Sequence, residues 1–176
     1  MLKIKHLKSA GVKIPPDEKV IWRYFDLIKF FDLINRNQLY LCRMDLFEDE
    51  LEGKIPIKDL NEKYPDHKLA RINKGTDFSR KDQFASCWTM HPDESYMHWK
   101  VFSEKEYGIA IKSTVEKFQL SIKKKDKYDV GYGEVEYINP SNSYLFKRSL
   151  YQLYFQKRKP FEFEKEVRIL SQLPIG

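Results

Sequence analysis

Apolar and charged residues alternate most sharply near the end of the chain, in Phe161-Glu162-Phe163-Glu164-Lys165-Glu166-Val167-Arg168-Ile169-Leu170. Positions 161, 163, 167 and 169 are apolar, with charged side chains between them. Successive side chains of a strand point to opposite faces, so the pattern predicts a strand over 163–170. Glu164, Glu166 and Arg168 then share one face, and Phe163, Val167 and Ile169 enter the core. Such a row is either an active-site wall or a solvated sheet edge with its own ion pair.

Residues 1–17 read as a lead-in closed by the stiff Pro15-Pro16 pair. Val20–Tyr24 is a first strand. Asp26 caps a helix whose apolar stripe is Leu27, Phe30, Phe31 and Ile34, ending at Asn35–Gln38. Leu39–Arg43 is a second strand, Asp45–Gly53 an acidic, solvated turn region, and 54–82 a polar stretch with a short helix near Ile57–Tyr64. Phe84–Thr89 returns to the strand pattern. Pro92 and Asp93 open a helix running to about Phe102, followed by strand Tyr107–Ser113 and helix Val115–Ile122. Strand Gly133–Ile138 and a long helix over Ser141–Lys157 precede the final strand. The elements interleave without strict βαβ alternation. They predict one α+β domain over 18–176, with a mixed, twisted sheet flanked by helices.

Composition narrows the class. At 176 residues, with 41% hydrophobic and 15% aromatic content, the chain can bury a core without staples. Cys42 and Cys87 provide no disulfide framework and fit a reducing compartment. The first residues scatter lysine where a secretory leader needs an apolar stretch, and no apolar run is long enough to span a bilayer. The expectation is a cytoplasmic protein with no membrane partner. Net charge is +6, and the cations are mostly lysine, 24 against 8 arginines. Nucleic acid is therefore a candidate partner.

The densest chemistry lies in 86–99. Cys87, His91 and His98 are three potential metal ligands without a supporting pair, so no metal is expected. Cys87 with either histidine would be a nucleophilic pair, although a cysteine in an aromatic strand is more often a small buried residue. Glu94 complements the helix dipole or serves a ligand. The segment with Lys147, Arg148, Tyr151, Tyr154, Phe155, Lys157, Arg158 and Lys159 offers a basic helix face for phosphates over a tyrosine-rich core face. No P-loop, dinucleotide fingerprint or nucleophile elbow is present.

Trp22-Arg23-Tyr24, the acidic 47–53 stretch, Ser86-Cys87-Trp88 with Glu94–Trp99, and Lys157-Arg158 with Glu164–Arg168 resemble the bacterial domain-of-unknown-function family 2971. That resemblance spans about 20–170 and implies no activity of its own. Arg23, Ser86 and Glu164-Lys165-Glu166 also resemble the arginine, serine and Glu-x-Glu positions of ADP-ribosyltransferases. This second resemblance implies that fold, NAD as substrate, and a protein, nucleic-acid or small-molecule acceptor. Arg23 would grip the pyrophosphate and Ser86 orient the nicotinamide ribose. Glu166 would stabilise oxocarbenium-like charge, and Glu164 would steer or deprotonate the acceptor. Trp88 would be a stacking wall and Arg168 a further cofactor-binding residue. The competing reading is a non-catalytic nucleic-acid-binding or protein-interaction module built on the basic helix around 147–159.

Overall fold

Strand β1 (Val20–Asp26) is made of β-branched and aromatic residues around one arginine, and it pairs with β4 (Gly108–Thr114) along its whole length. The computed structural model describes residues 4–55, 75–76, 79–103, 107–122, 129–139 and 149–172. Strands β3 (Gln83–Thr89), β5 (Asp129–Glu134) and β8 (Glu166–Gln172) complete the sheet in the order β4-β1-β3-β8-β5, with the short β2 (Cys42–Arg43) also on β3. Every ladder in this sheet is antiparallel. The expected mixed sheet is thus corrected to an antiparallel one beside a small parallel pair, β6 (Glu136–Ile138) with β7 (Gln156–Arg158).

Helix α1 (Ile4–Ser9) packs on β5. Helix α2 (Leu27–Arg36) is capped by Asp26, which accepts from the Lys29 amide at 2.7 Å, and it closes at Asn37 with φ of 52°. Helix α3 (Tyr96–Phe102) begins later than Pro92 predicts, because Ser95 is its cap and Tyr24 Oη holds the Ser95 amide at 2.9 Å. Helix α4 (Val115–Ser121) is capped by Thr114.

Both faces of the sheet are covered. Ile21, Trp88, Val115, Phe118, Tyr132, Val167 and Ile169 pack on one face. Leu7, Val12, Met44, Ala85, Tyr154, Phe155 and Leu170 pack on the other. Each large apolar side chain so buried contributes about 1.5–3 kcal/mol of transfer free energy. Strand β8 lies between β3 and β5, with its residues up to Ser171 buried.

Further predicted elements change, and the second strand shortens from 39–43 to Cys42–Arg43. The final strand starts at Glu166, not Phe163. Pro160 opens a 3-10 turn over Lys159–Glu164, and Lys165 leaves it at φ of 43°, breaking the alternation. Phe163 is consequently 39% exposed rather than a core residue. The long helix also fails within the described residues, where Leu150–Phe155 is a 3-10 helix leading straight into β7. Leu153, Tyr154, Phe155 and Gln156 are consecutive buried positions, which no single helical stripe can supply. Residues 141–148, and the short helix expected near 57–64, lie outside the described residues. Finally, the run 133–138 is divided at Val135 between β5 and β6.

Candidate functional site

Strand β3 touches β1 at Trp22↔Thr89 and β2 at Cys42↔Ala85 and Arg43↔Phe84, all on one edge. Between these contacts Ser86–Trp88 have no strand partner on that edge among the described residues. β1 and β2 are joined through α2, and Lys29 of α2 lines the gap between them. The result is a cleft of about 390 Å³ lined by residues from both faces of the sheet. Arg23, Ser86, Trp88, Glu164 and Glu166 all line it, with Trp22, Tyr24, Phe25 and Tyr40 among its aromatic walls.

The β3–β8 register sorts these side chains. Cys87 lies opposite Arg168 and Thr89 opposite Glu166, whereas Ser86 and Trp88 share the face of Ile169 and Val167. Arg23 and Ser86 therefore approach the cleft from one face, and the carboxylates approach from the other.

Arg23 donates to Ser86 Oγ, donates to the Tyr40 carbonyl at 3.2 Å, and stacks 4.7 Å above the Phe25 ring. No carboxylate is bonded to it among the described residues. Burial lowers its pKa to about 10, only partly offset by Cys87, Cys42 and Tyr40, so it stays charged at neutral pH. Ser86 Oγ also accepts from Trp88 Nε1 at 3.1 Å, leaving its own hydrogen free to donate. Trp88 is mostly core, packed against Phe118, with an edge on the cleft.

Beneath the opposite face lies a buried charge network. Arg168 grips Glu166 from Nε at 2.7 Å and Nη2 at 3.0 Å. It also reaches Glu52 at 2.6 Å and the Tyr154 carbonyl at 2.7 Å. Lys157 lies 2.6 Å from Glu164, 3.2 Å from Glu52 and 3.8 Å from Glu166. With Arg168 at 0% and Glu166 at 2% exposure, the solvated-edge alternative is overturned, while its ion pair is present. Arg168 spends its donors on the protein itself. The acidic turn is likewise not solvated at Asp49 and Glu52, which are buried against Arg158 and Arg168.

The two carboxyls of the Glu-x-Glu pair are pushed apart. Burial alone would raise Glu166, but Arg168 and Lys157 outweigh it and hold the carboxyl below its usual range. Burial dominates at Glu164, and despite Lys157 its pKa rises to about 7. Cys87 is exposed on the cleft rather than the small buried residue its aromatic strand suggests, and enclosure by the cleft walls with the neighbouring Glu166 raises its thiol pKa and disfavours the thiolate. His91 Nε2 and His98 Nε2 are committed to the carbonyls of Phe163 at 3.0 Å and Glu164 at 3.3 Å. Burial lowers the His98 pKa. Glu94 accepts from Trp99 Nε1 at 3.0 Å at the surface. No group that could hold a metal ion occurs among the described residues.

The structure thus joins Arg23 to Ser86 and Glu164 to Glu166 around one cleft. Sequence reasoning missed Glu52 and Lys157. The only signal for them was charge in otherwise ordinary positions, because their partners lie far along the chain. No protein-family model matches this chain, and neither the curated proteins nor the solved structures contain a match to it.

Proposed function

We propose that the protein is an ADP-ribosyltransferase-like enzyme that binds NAD in this cleft and transfers its ADP-ribose to an acceptor. The observation that carries this reading is Arg23, a half-buried guanidinium whose partners among the described residues are all neutral, set in an aromatic cleft. A cation left without a counter-ion in such a place suits a phosphate group. Ser86, already oriented by Arg23 and Trp88, has a hydrogen to offer a ribose oxygen.

The separated carboxyls suit two roles. Glu166 is held ionised by Arg168, so it can stabilise positive charge on the ribose as the glycosidic bond breaks. Arg168 is then a positioning residue. Glu164 exchanges its proton near neutral pH, as a group that steers or deprotonates an acceptor must. The rival basic-helix module loses support from two of its cations, since the part-buried Lys157 is paired with Glu164 and the part-exposed Arg158 is paired with Asp49.

Nicotinamide release from NAD, with cell lysate as the acceptor source, tests the reading. Glu166→Gln is expected to cut release by about 10²–10³-fold while keeping an NAD-dependent rise in melting temperature. Arg23→Ala is expected to lose both. Absence of release and of any melting shift at millimolar NAD would sink the proposal and turn attention to RNA and DNA binding.

A further inference from the structure

Among the described residues, three carboxylates, Glu52, Glu164 and Glu166, meet two cations, Lys157 and Arg168, in the network beneath the cleft. Asp49 and Arg158 pair separately at 2.9 Å. One negative charge is therefore in excess. Lys157 engages Glu164 through Oε2, and Glu164 Oε1 accepts no hydrogen bond from the described residues. Glu164 is only 7% exposed, and it lines the cleft. Arg23, entering from the other face, is the complementary case of a positive charge without an acidic partner among the described residues.

A cleft lined by Arg23 without a described carboxylate partner, by Glu164 of a network with one carboxylate more than its described cations, and by aromatic side chains fits a ligand that carries an anion and a cation on one frame. Resting on the NAD reading above, we infer that Glu164 is the counter-ion for a cationic ring, so the cleft selects an oxidised nicotinamide nucleotide over its neutral reduced form. The pyrophosphate is common to both forms and meets Arg23. The ring charge differs and meets Glu164. Once the glycosidic bond breaks, nicotinamide leaves neutral and the carboxylate is freed for the acceptor.

Binding is also linked to a proton. Lys157 from β7, Glu52 from the loop after β2, and Glu166 and Arg168 from β8 surround the Glu164 carboxyl. Tyr137 from β6 lies near Glu164, Cys87 from β3 lies beside Glu166, and His98 from α3 meets the Glu164 backbone carbonyl. In the free protein burial leaves Glu164 partly protonated near neutrality. A cationic ring favours the ionised form, so the proton leaves to the buffer as the ligand binds.

Calorimetric titration of the full-length protein with NAD⁺ and with NADH tests this, in buffers of different ionisation enthalpy. NAD⁺ is expected to bind about tenfold more tightly near pH 8, with proton release on binding near pH 7 and the preference fading below about pH 6. Glu164→Gln is expected to bring the two affinities together, whereas Arg23→Lys weakens both alike. Equal affinities in the wild-type protein near pH 8, or binding without proton release near pH 7, would overturn the inference. If neither dinucleotide binds, the NAD reading fails by itself. Cationic N-methylnicotinamide against neutral nicotinamide then decides the charge arrangement, with preference for the cation supporting it and equal or absent binding overturning it.

Discussion

Arg168 is the most tightly held side chain of the network, bonded to Glu166, Glu52 and the Tyr154 carbonyl with no solvent exposure. Replacing it with leucine would leave Glu52 and Glu166 buried beside Lys157 alone. Loss of one partner of a buried ion pair costs about 3–5 kcal/mol, so Arg168→Leu is expected to lower the denaturant midpoint at pH 7 accordingly. An unchanged midpoint would remove the network's structural role. Part of this was legible in the sequence. Glu166 and Arg168 stand two positions apart on a strand pattern, which places them on one face. Glu52 lies 116 positions from Arg168, and no local rule relates them. Arg23 and Ser86 could be named as a pair only through the resemblance, because their contact depends on how β1 meets β3.

At the scale of elements, the Asp26 cap is the most legible feature, whereas the start of α3 at Ser95 lies beyond the Pro92–Asp93 signal. Asp26 was placed correctly as the start of α2, since a carboxylate accepting an early amide is a local interaction. Alternation was a poorer guide before Glu166. Its charged-apolar period continues through a 3-10 turn, where Lys165 at positive φ resets the face. The cleft itself arises from an element too short to zip, as β2 pairs with β3 over only Cys42 and Arg43. Strand β5 illustrates the closeness of the opposite face. A Cβ at Gly133 would clash with Val12 Cγ1 and lie 3.2 Å from the Lys13 carbonyl oxygen. Gly133→Ala is therefore expected to destabilise the fold by about 1–3 kcal/mol, measured by thermal or denaturant unfolding. A neutral result would mean that the N-terminal segment is not packed against β5.

For the whole molecule, the two carboxyls give opposite pH dependences. Glu166 is depressed, so its stabilisation is intact above the ordinary carboxylate range and is lost as pH falls through its lowered value. Glu164 is raised, so its contribution is full below the ordinary value of 4.5 and is lost as pH rises through about 7. Glu164→Gln also balances the charge of the network. Its melting temperature is expected to exceed that of the wild type near pH 8 and to converge with it near pH 4, followed by circular dichroism. A variant less stable than the wild type at both values would contradict the excess-charge account.

The α+β class, the Asp26 cap, the Glu166–Arg168 ion pair and the lack of a described helix long and apolar enough to cross a membrane follow from local pattern. Local pattern suffices there because capping, alternation and hydrophobic runs act between residues a few positions apart. Three things awaited the tertiary structure: the interior place of β8 between β3 and β5, the gap between β1 and β2, and the burial of Asp49 and Glu52. These depend on strand order and on ion pairs between distant segments. A solvated acidic turn and a buried ionic clamp can be written with the same residues. Only the position of Lys157 and Arg168 in space decides between them.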